Sequence, residues 1–170
     1  MEFLNAIKER IPDYAKDIRL NLDGVIARSS LASEDALGVA LAAAYAARSR
    51  DLVDVFKANM PAAEANAALT AAALMGMNTT WYPFVEMAAD EDLKGLRAEL
   101  RMNAYATSGG VEKKKFEAYA LAASIVGKCH FCVKSHYDLL KKEGLTTQQL
   151  RDVGRIAAVV NAVAQVLAAG

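Results

Sequence analysis

The sequence predicts an all-α protein, on three observations. Hydrophobic residues fill 54% of 170 positions, with a large alanine share and only three prolines, the composition of closely packed helices. Apolar residues recur at three- and four-residue spacing between capping residues on one side and glycine or proline on the other. No stretch reads convincingly as a strand. The expected architecture has about nine or ten helices.

Glu2 to Arg10 predicts a short helix stopped near Pro12, because proline disfavours helix in the residue before it. Asp13 is placed to cap the next, which runs to about Val25 with Tyr14, Ile18, Leu20 and Leu22 as its apolar positions. Ser33, followed by Glu34 and Asp35, predicts a capped start with acids at the positive end of the helix dipole, extending to Arg48. Asp51 to Asn59 is a shorter amphipathic piece. Pro61 suits the first turn of a helix running through the alanines to Met75, and Gly76 is expected to interrupt it. Asn78 to Met87 predicts a helix entered by an irregular turn; its Trp81, Tyr82 and Phe84 are most simply core, with the alternative that they line access for an apolar substrate. Asp90 is expected to cap a helix reaching about Tyr105, and Thr107-Ser108-Gly109-Gly110 is the clearest loop.

That loop divides a single domain, residues 1–170, into an N-terminal helical half, 1–107, and a C-terminal half, 111–170. In the second half, Val111 to Val126 predicts a helix ended by Gly127 in the left-handed C-terminal conformation. A further helix runs from about Cys129 to Lys142 and is closed by Gly144. Thr146 with Gln149 forms a capping box for the last helix, which continues almost to the C-terminus. An offset of 51 residues lays Ala71-Ala72, Gly76, Asn78 and Trp81 over Ala122-Ala123, Gly127, Cys129 and Cys132. Both stretches then read as alanine-rich helix, glycine break and second helix, the pattern of a duplicated helical unit whose first copy has no thiols.

The 20 basic and 20 acidic residues balance, so no global field draws the protein to nucleic acid or an anionic membrane. Met1-Glu2-Phe3-Leu4-Asn5 does not have the basic and then apolar order of a signal peptide. Val153 to Gly170 is interrupted by Arg155, Asn161 and Gln165, short of the ~20 apolar residues of a membrane span. A cytoplasmic protein is expected, and in a reducing compartment its two cysteines point to catalysis or metal binding rather than a structural disulfide.

Both cysteines and both histidines of the chain fall within Cys129-His130-Phe131-Cys132-Val133-Lys134-Ser135-His136. Cys129 and Cys132 share a helix face and can form a local disulfide; a thiol at a helix N-terminus is acidified there. His136 lies one turn beyond Cys132, where an imidazole near neutral pKa can take a thiol proton and return it to a leaving group. His130 sits about 100° round the helix from Cys129 and fits a supporting or solvent-facing position better. Glu117, on the preceding helix among Phe116, Tyr119, Ala120 and Leu121, can orient His136 or pair at the surface with Lys113 or Lys114. Two other readings remain open from the residues alone: buried reduced cysteines, and a zinc site from Cys129, Cys132, His136 and either Glu117 or His130. Structural zinc sites draw ligands from separated pairs and only one knuckle is present, so no native metal is expected.

Glu117, the Cys129-His130-Phe131-Cys132 motif and His136, at these intervals, resemble the alkylhydroperoxidase AhpD family. So do Ile11 to Leu22, Ala71-Ala72-Ala73-Leu74-Met75-Gly76-Met77-Asn78 and Leu100-Arg101-Met102-Asn103, which look like the full-length mycobacterial-type members. The resemblance covers nearly the whole chain and implies an AhpD-like helical fold, a homotrimer, and peroxide reduction by the dithiol. It implies Cys132 as the attacking thiolate that becomes a sulfenic acid, and Cys129 as the more accessible proton donor and resolving thiol that closes the Cys129–Cys132 disulfide. His136 and Glu117 are then the proton relay. No cofactor is tightly bound; dihydrolipoamide on a lipoylated acyltransferase, with lipoamide dehydrogenase behind it, is the implied electron donor, and the peroxiredoxin AhpC an implied partner. The motif departs from the mycobacterial type at one point, with Phe131 directly before the second cysteine where that pattern has histidine, and His130 one place earlier. A thiol-disulfide sensor or adaptor, and a carboxymuconolactone decarboxylase-like enzyme, are the alternative functions.

Overall fold

The computed structural model describes residues 1–170, which form ten α-helices, three short 3-10 turns and no strand. In chain order the helices are α1 (Asn5–Glu9), α2 (Lys16–Ala27), α3 (Ser33–Ala46), α4 (Arg50–Ala58), α5 (Ala62–Ala88), α6 (Glu91–Lys94), α7 (Asn103–Ala106), α8 (Lys113–Val126), α9 (His130–Lys142) and α10 (Thr147–Ala169). The centre is α3, α5 and α8 packed on one another, with α10 across α2, α3 and α8 and α9 against α8 and α5. Phe116 to Ser124 of α8 is buried without a break, as is Val39 to Ala44 of α3. Helices buried all round lack an amphipathic stripe, and small alanine side chains let them approach closely.

Three local expectations fail for physical reasons. Gly76 does not interrupt its helix: α5 continues through it and through Pro83, since burial of Ala71, Ala72 and Met75 outweighs the ~1 kcal/mol cost of an interior glycine. Thr79 and Thr80 also donate to the carbonyls of Met75 and Gly76, at 2.7 and 3.1 Å. The helix–glycine–helix pattern is therefore present only in the second of the two offset stretches. Asp90 does cap, accepting the amide of Asp92 at 2.9 Å, but α6 has no buried residue and, without a face to bury, ends after one turn. Ser33 is the first residue of α3 and makes no cap hydrogen bond.

Asp13 lies in a 3-10 turn and does not cap α2, whose N-cap is Ala15, whereas the signals between α9 and α10 act as read. Gly144 takes a left-handed conformation, φ 92°, after α9, and Thr146 and Gln149 close a reciprocal capping box. By length and composition α10 is apolar enough to cross a membrane; in the fold it buries Leu150, Val153, Ile156, Ala157, Val160, Val163 and Ala164 against its neighbours. Lys115 fixes the start of α8, 3.0 Å from Glu64 of α5 and within 3.6 Å of Glu34 and Asp35 of α3. That anchor sets the register of Glu117.

Candidate active site

The cysteine segment is placed by the junction of α8 and α9. Gly127 was expected to supply a left-handed turn, but it is right-handed, φ −71°, and the strained residue is Lys128, φ 54°. Glycine is required at 127 for space: a Cβ there would lie 2.6 Å from the Thr79 Cγ2 of α5. The end of α8 thus touches α5, and the chain reverses directly into α9.

Cys129 is the N-cap of α9, its Sγ accepting the backbone N–H of Cys132 at 3.2 Å. The two cysteines are joined in a disulfide with Cα atoms 5.3 Å apart. Its Sγ also rests 3.9 Å from the Asn78 carbonyl oxygen of α5. Both cysteines are buried in this disulfide form, 0% exposed for Cys129 and 3% for Cys132, and Cys129 borders a surface pocket of about 380 Å³ with His130, Val133 and Tyr137.

Glu117 and His136, 19 residues apart in the chain, meet where α8 and α9 pack: His136 Nδ1 lies 2.6 Å from Glu117 Oε2. They are 1% and 6% exposed. Tyr105 of α7 donates its hydroxyl to Glu117 Oε1. Burial pushes the Glu117 carboxyl up, but the hydrogen bonds from His136 and Tyr105 outweigh it and hold the carboxyl below its ordinary range. Burial, with the carboxylate beside it, raises the Tyr105 phenol above its ordinary value, so it stays a donor. An ionised carboxylate only accepts; Nδ1 therefore carries its proton toward Glu117, and Nε2 is the nitrogen left for proton exchange. In the disulfide form Nε2 lies 3.2 Å from Met75 Sδ.

Cys132 and His136 open on one cavity of about 290 Å³, lined also by Asn78, Tyr82, Met102, Tyr105, Phe131 and Ser135. A larger cavity of about 840 Å³, bordered by Met75, Thr79 and Gly127, holds neither cysteine. The smaller one has Cys132 and His136 on its wall, and the separate pocket of about 380 Å³ borders Cys129. Phe131 stacks on Tyr82 at 4.2 Å between centroids, and Tyr82 lines this cavity. Trp81 and Phe84 pack on each other at 5.7 Å, and none of Trp81, Tyr82 and Phe84 is buried in the core as expected, because this end of α5 projects beyond its packing neighbours.

The structure thus brings Glu117, Cys129, Cys132 and His136 together. It leaves His130 outside, 83% exposed at the side chain, with Nδ1 3.0 Å from Glu86 of α5. No group of three or more His, Cys, Asp and Glu side chains is arranged to hold a metal ion. Tyr105 and Met75 escaped the sequence reading: their partners are 12 and 61 residues away, and no local pattern marks either.

Residues 91–169 match the carboxymuconolactone decarboxylase family. Over 168 residues the chain is 44% identical to a Rhodospirillum centenum protein named alkyl hydroperoxide reductase AhpD, covering 96% of this chain and 90% of that one. Proteins of the same name from Coxiella burnetii and Maricaulis maris are 40% and 41% identical over 170 residues, covering 96% and 98% of both chains.

Proposed function

The chain belongs to the alkyl hydroperoxide reductase AhpD family, and from that premise we propose that it is an antioxidant peroxidase whose reducible centre is Cys129–Cys132. The observation that carries the proposal is the buried Glu117–His136 pair one helical turn from Cys132. His136 Nε2, once clear of Met75, takes the Cys132 proton. The thiolate attacks the terminal oxygen of the hydroperoxide; an S–O bond forms, the O–O bond breaks, and the departing alkoxide takes the Cys129 proton to leave as alcohol, which leaves Cys129 a thiolate. Cys129 then attacks the sulfenic sulfur, hydroxide leaves as water with a proton returned through His136, and the disulfide closes.

The two thiols have different activators. Cys129 at the N-cap has the Cys132 amide and the positive end of α9, whereas Cys132 has the imidazole. That division suits Cys129 to exchange with a reductant. Dihydrolipoamide restores the dithiol in two exchange steps and becomes the cyclic disulfide of lipoamide, which lipoamide dehydrogenase reduces with NADH; AhpC can receive electrons through a mixed disulfide. No tightly bound cofactor is needed, and a reducing cytosol is the setting in which the cycle runs. The pocket that borders Cys129 gives the reductant its approach to that sulfur. The homotrimer belongs to the same reading: Met87 at the end of α5 and Leu96 and Leu100 after α6 are exposed, and solution mass tests it.

The function is tested in a coupled assay with NADH, lipoamide dehydrogenase, lipoamide and cumene hydroperoxide. Sustained NADH oxidation is expected, lost in both Cys132→Ser and Cys129→Ser. Undiminished turnover in both variants would end the dithiol mechanism, and a single stoichiometric oxidation without turnover would indicate a sensor.

A further inference from the structure

The cavity that holds Cys132 is lined by two kinds of group: Cys132, His136, Ser135 and Asn78 are polar, and Tyr82, Phe131 and Met102 present apolar surface. Phe131 immediately precedes the sulfur that the proposed cycle uses as nucleophile, so its ring is fixed relative to that atom by one peptide unit. The ring is 55% exposed and stacks on Tyr82 at 4.2 Å and 26°. Tyr82 comes from α5 and Phe131 from α9, so the pair joins the two helices and holds both rings at the cavity mouth. A large aromatic at the first turn of a polar helix, half in water beside a reactive sulfur, is an apolar surface facing the site.

We infer that the Phe131–Tyr82 pair is the binding wall for the organic substituent of the hydroperoxide, and that it selects aryl-bearing hydroperoxides over hydrogen peroxide. The inference rests on the peroxidase reading and names the substrate class that reading leaves open. About 290 Å³ is room for roughly ten waters at ~30 Å³ each. Hydrogen peroxide fills a small part of that space and leaves both rings wet. An aryl-alkyl hydroperoxide fills more of it: its O–O group lies against Cys132 and His136, and its ring displaces water from Phe131 and Tyr82 in offset or edge contact. Polar groups then grip the reacting atoms while the aromatic wall senses only what is attached to them.

The test compares kcat/KM for cumene hydroperoxide, tert-butyl hydroperoxide and hydrogen peroxide at saturating dihydrolipoamide, in wild type, Phe131→Ala, Phe131→Tyr and Tyr82→Leu, each checked for unchanged helix content and melting temperature. Phe131→Ala is expected to lose about tenfold on cumene hydroperoxide, the size of one aromatic contact set, less on tert-butyl hydroperoxide, and under about twofold on hydrogen peroxide, which gains no such contact. Phe131→Tyr should keep the preference. Equal losses on all three substrates, or none, overturn the inference. Binding of cumyl alcohol, followed by amide chemical shifts around Phe131, is read without turnover. No saturable binding to wild type overturns the inference even where peroxidase activity holds; saturable binding that Phe131→Ala weakens, in a protein that consumes no peroxide, overturns the peroxidase reading alone.

Discussion

Two carboxylates are withdrawn almost wholly from water in this molecule, Glu117 on α8 and Asp152 on α10, each 1% exposed. Their partners differ in kind. Asp152 Oδ2 accepts the backbone N–H and the hydroxyl of Ser30, both at 2.8 Å, and Oδ1 accepts from Arg151 and Arg155 at 3.1 and 3.2 Å. None of those donors changes charge near neutral pH. Burial pushes the Asp152 carboxyl up, yet the Ser30 bonds and the two guanidinium groups bring it down to about 2. Glu117 is held instead by the imidazole of His136 and by one phenol. Equal burial therefore serves two ends: Asp152 ties α10 to a loop 122 residues away, and Glu117 holds an imidazole on the wall of the cavity that Cys132 lines. A buried carboxylate points to function when its partner can exchange a proton.

Exchanging each acid for its amide should separate the two roles. Glu117→Gln is expected to lower kcat/KM for peroxide by about a hundredfold, the scale of a positioned acid–base group, with a modest change in melting temperature. Asp152→Asn should leave kcat/KM of the folded enzyme within about twofold and cost about 2 kcal/mol in denaturant unfolding, because the half-exposed guanidinium groups of Arg151 and Arg155 lose their counter-charge and the Ser30 bonds lose a charged acceptor. A stability loss at 117 with activity intact would reverse the assignment.

Acid should act on the structural carboxylate in a defined window. The Asp152 pKa falls from 3.8 in the unfolded chain to about 2 in the folded one. Its contribution, about 2 kcal/mol, is therefore present in full above about pH 4 and lost as pH falls toward 2. Urea unfolding at pH 6, 4 and 2.5 checks this, with the wild-type advantage over Asp152→Asn narrowing across that range.

Two smaller effects sharpen the catalytic side. The charged or titratable groups around Glu117 are His136 from α9, Tyr105 from α7 and Lys113 on its own helix. Tyr105→Phe removes one charge-assisted donor, and a drop in kcat/KM of about tenfold is expected. The acid limb of the pH profile should move upward, because a carboxylate with fewer donors protonates more readily. An unshifted limb would make Tyr105 merely structural. His130→Ala should change kcat/KM by less than about twofold, since an exposed pair with Glu86 contributes ~0–1 kcal/mol.

The parts of this fold that were legible in the chain are those decided locally. Gly144, Thr146 and Gln149 act through neighbours within a few residues, so α9 and α10 fell within a residue or two of expectation. Gly127 and Gly76 misled for the opposite reason: what fixes them is Thr79 touching the end of α8 and the alanine packing of α5. The helix expected from Asp90 to Tyr105 had a cap and nothing to bury. In the site, spacing alone placed His136 one turn from Cys132, whereas Glu117 rose above a surface pair through family resemblance and is now seen in contact. Tyr105 and Met75 are contributed by distant segments, and only the packing of α5 and α7 on α8 and α9 reveals them.

The central claim, that the Glu117–His136 pair activates Cys132 rather than Cys129, is tested most directly by trapping the sulfenic acid. The Cys129→Ser and Cys132→Ser proteins, fully reduced, are exposed to one equivalent of cumene hydroperoxide with dimedone present, and the adduct is located by peptide mass spectrometry. The account predicts rapid labelling of Cys132 in the first protein, slowed when Glu117→Gln is added, and little labelling of Cys129 in the second. Equally rapid labelling of Cys129 in the Cys132→Ser protein, indifferent to Glu117, would contradict it.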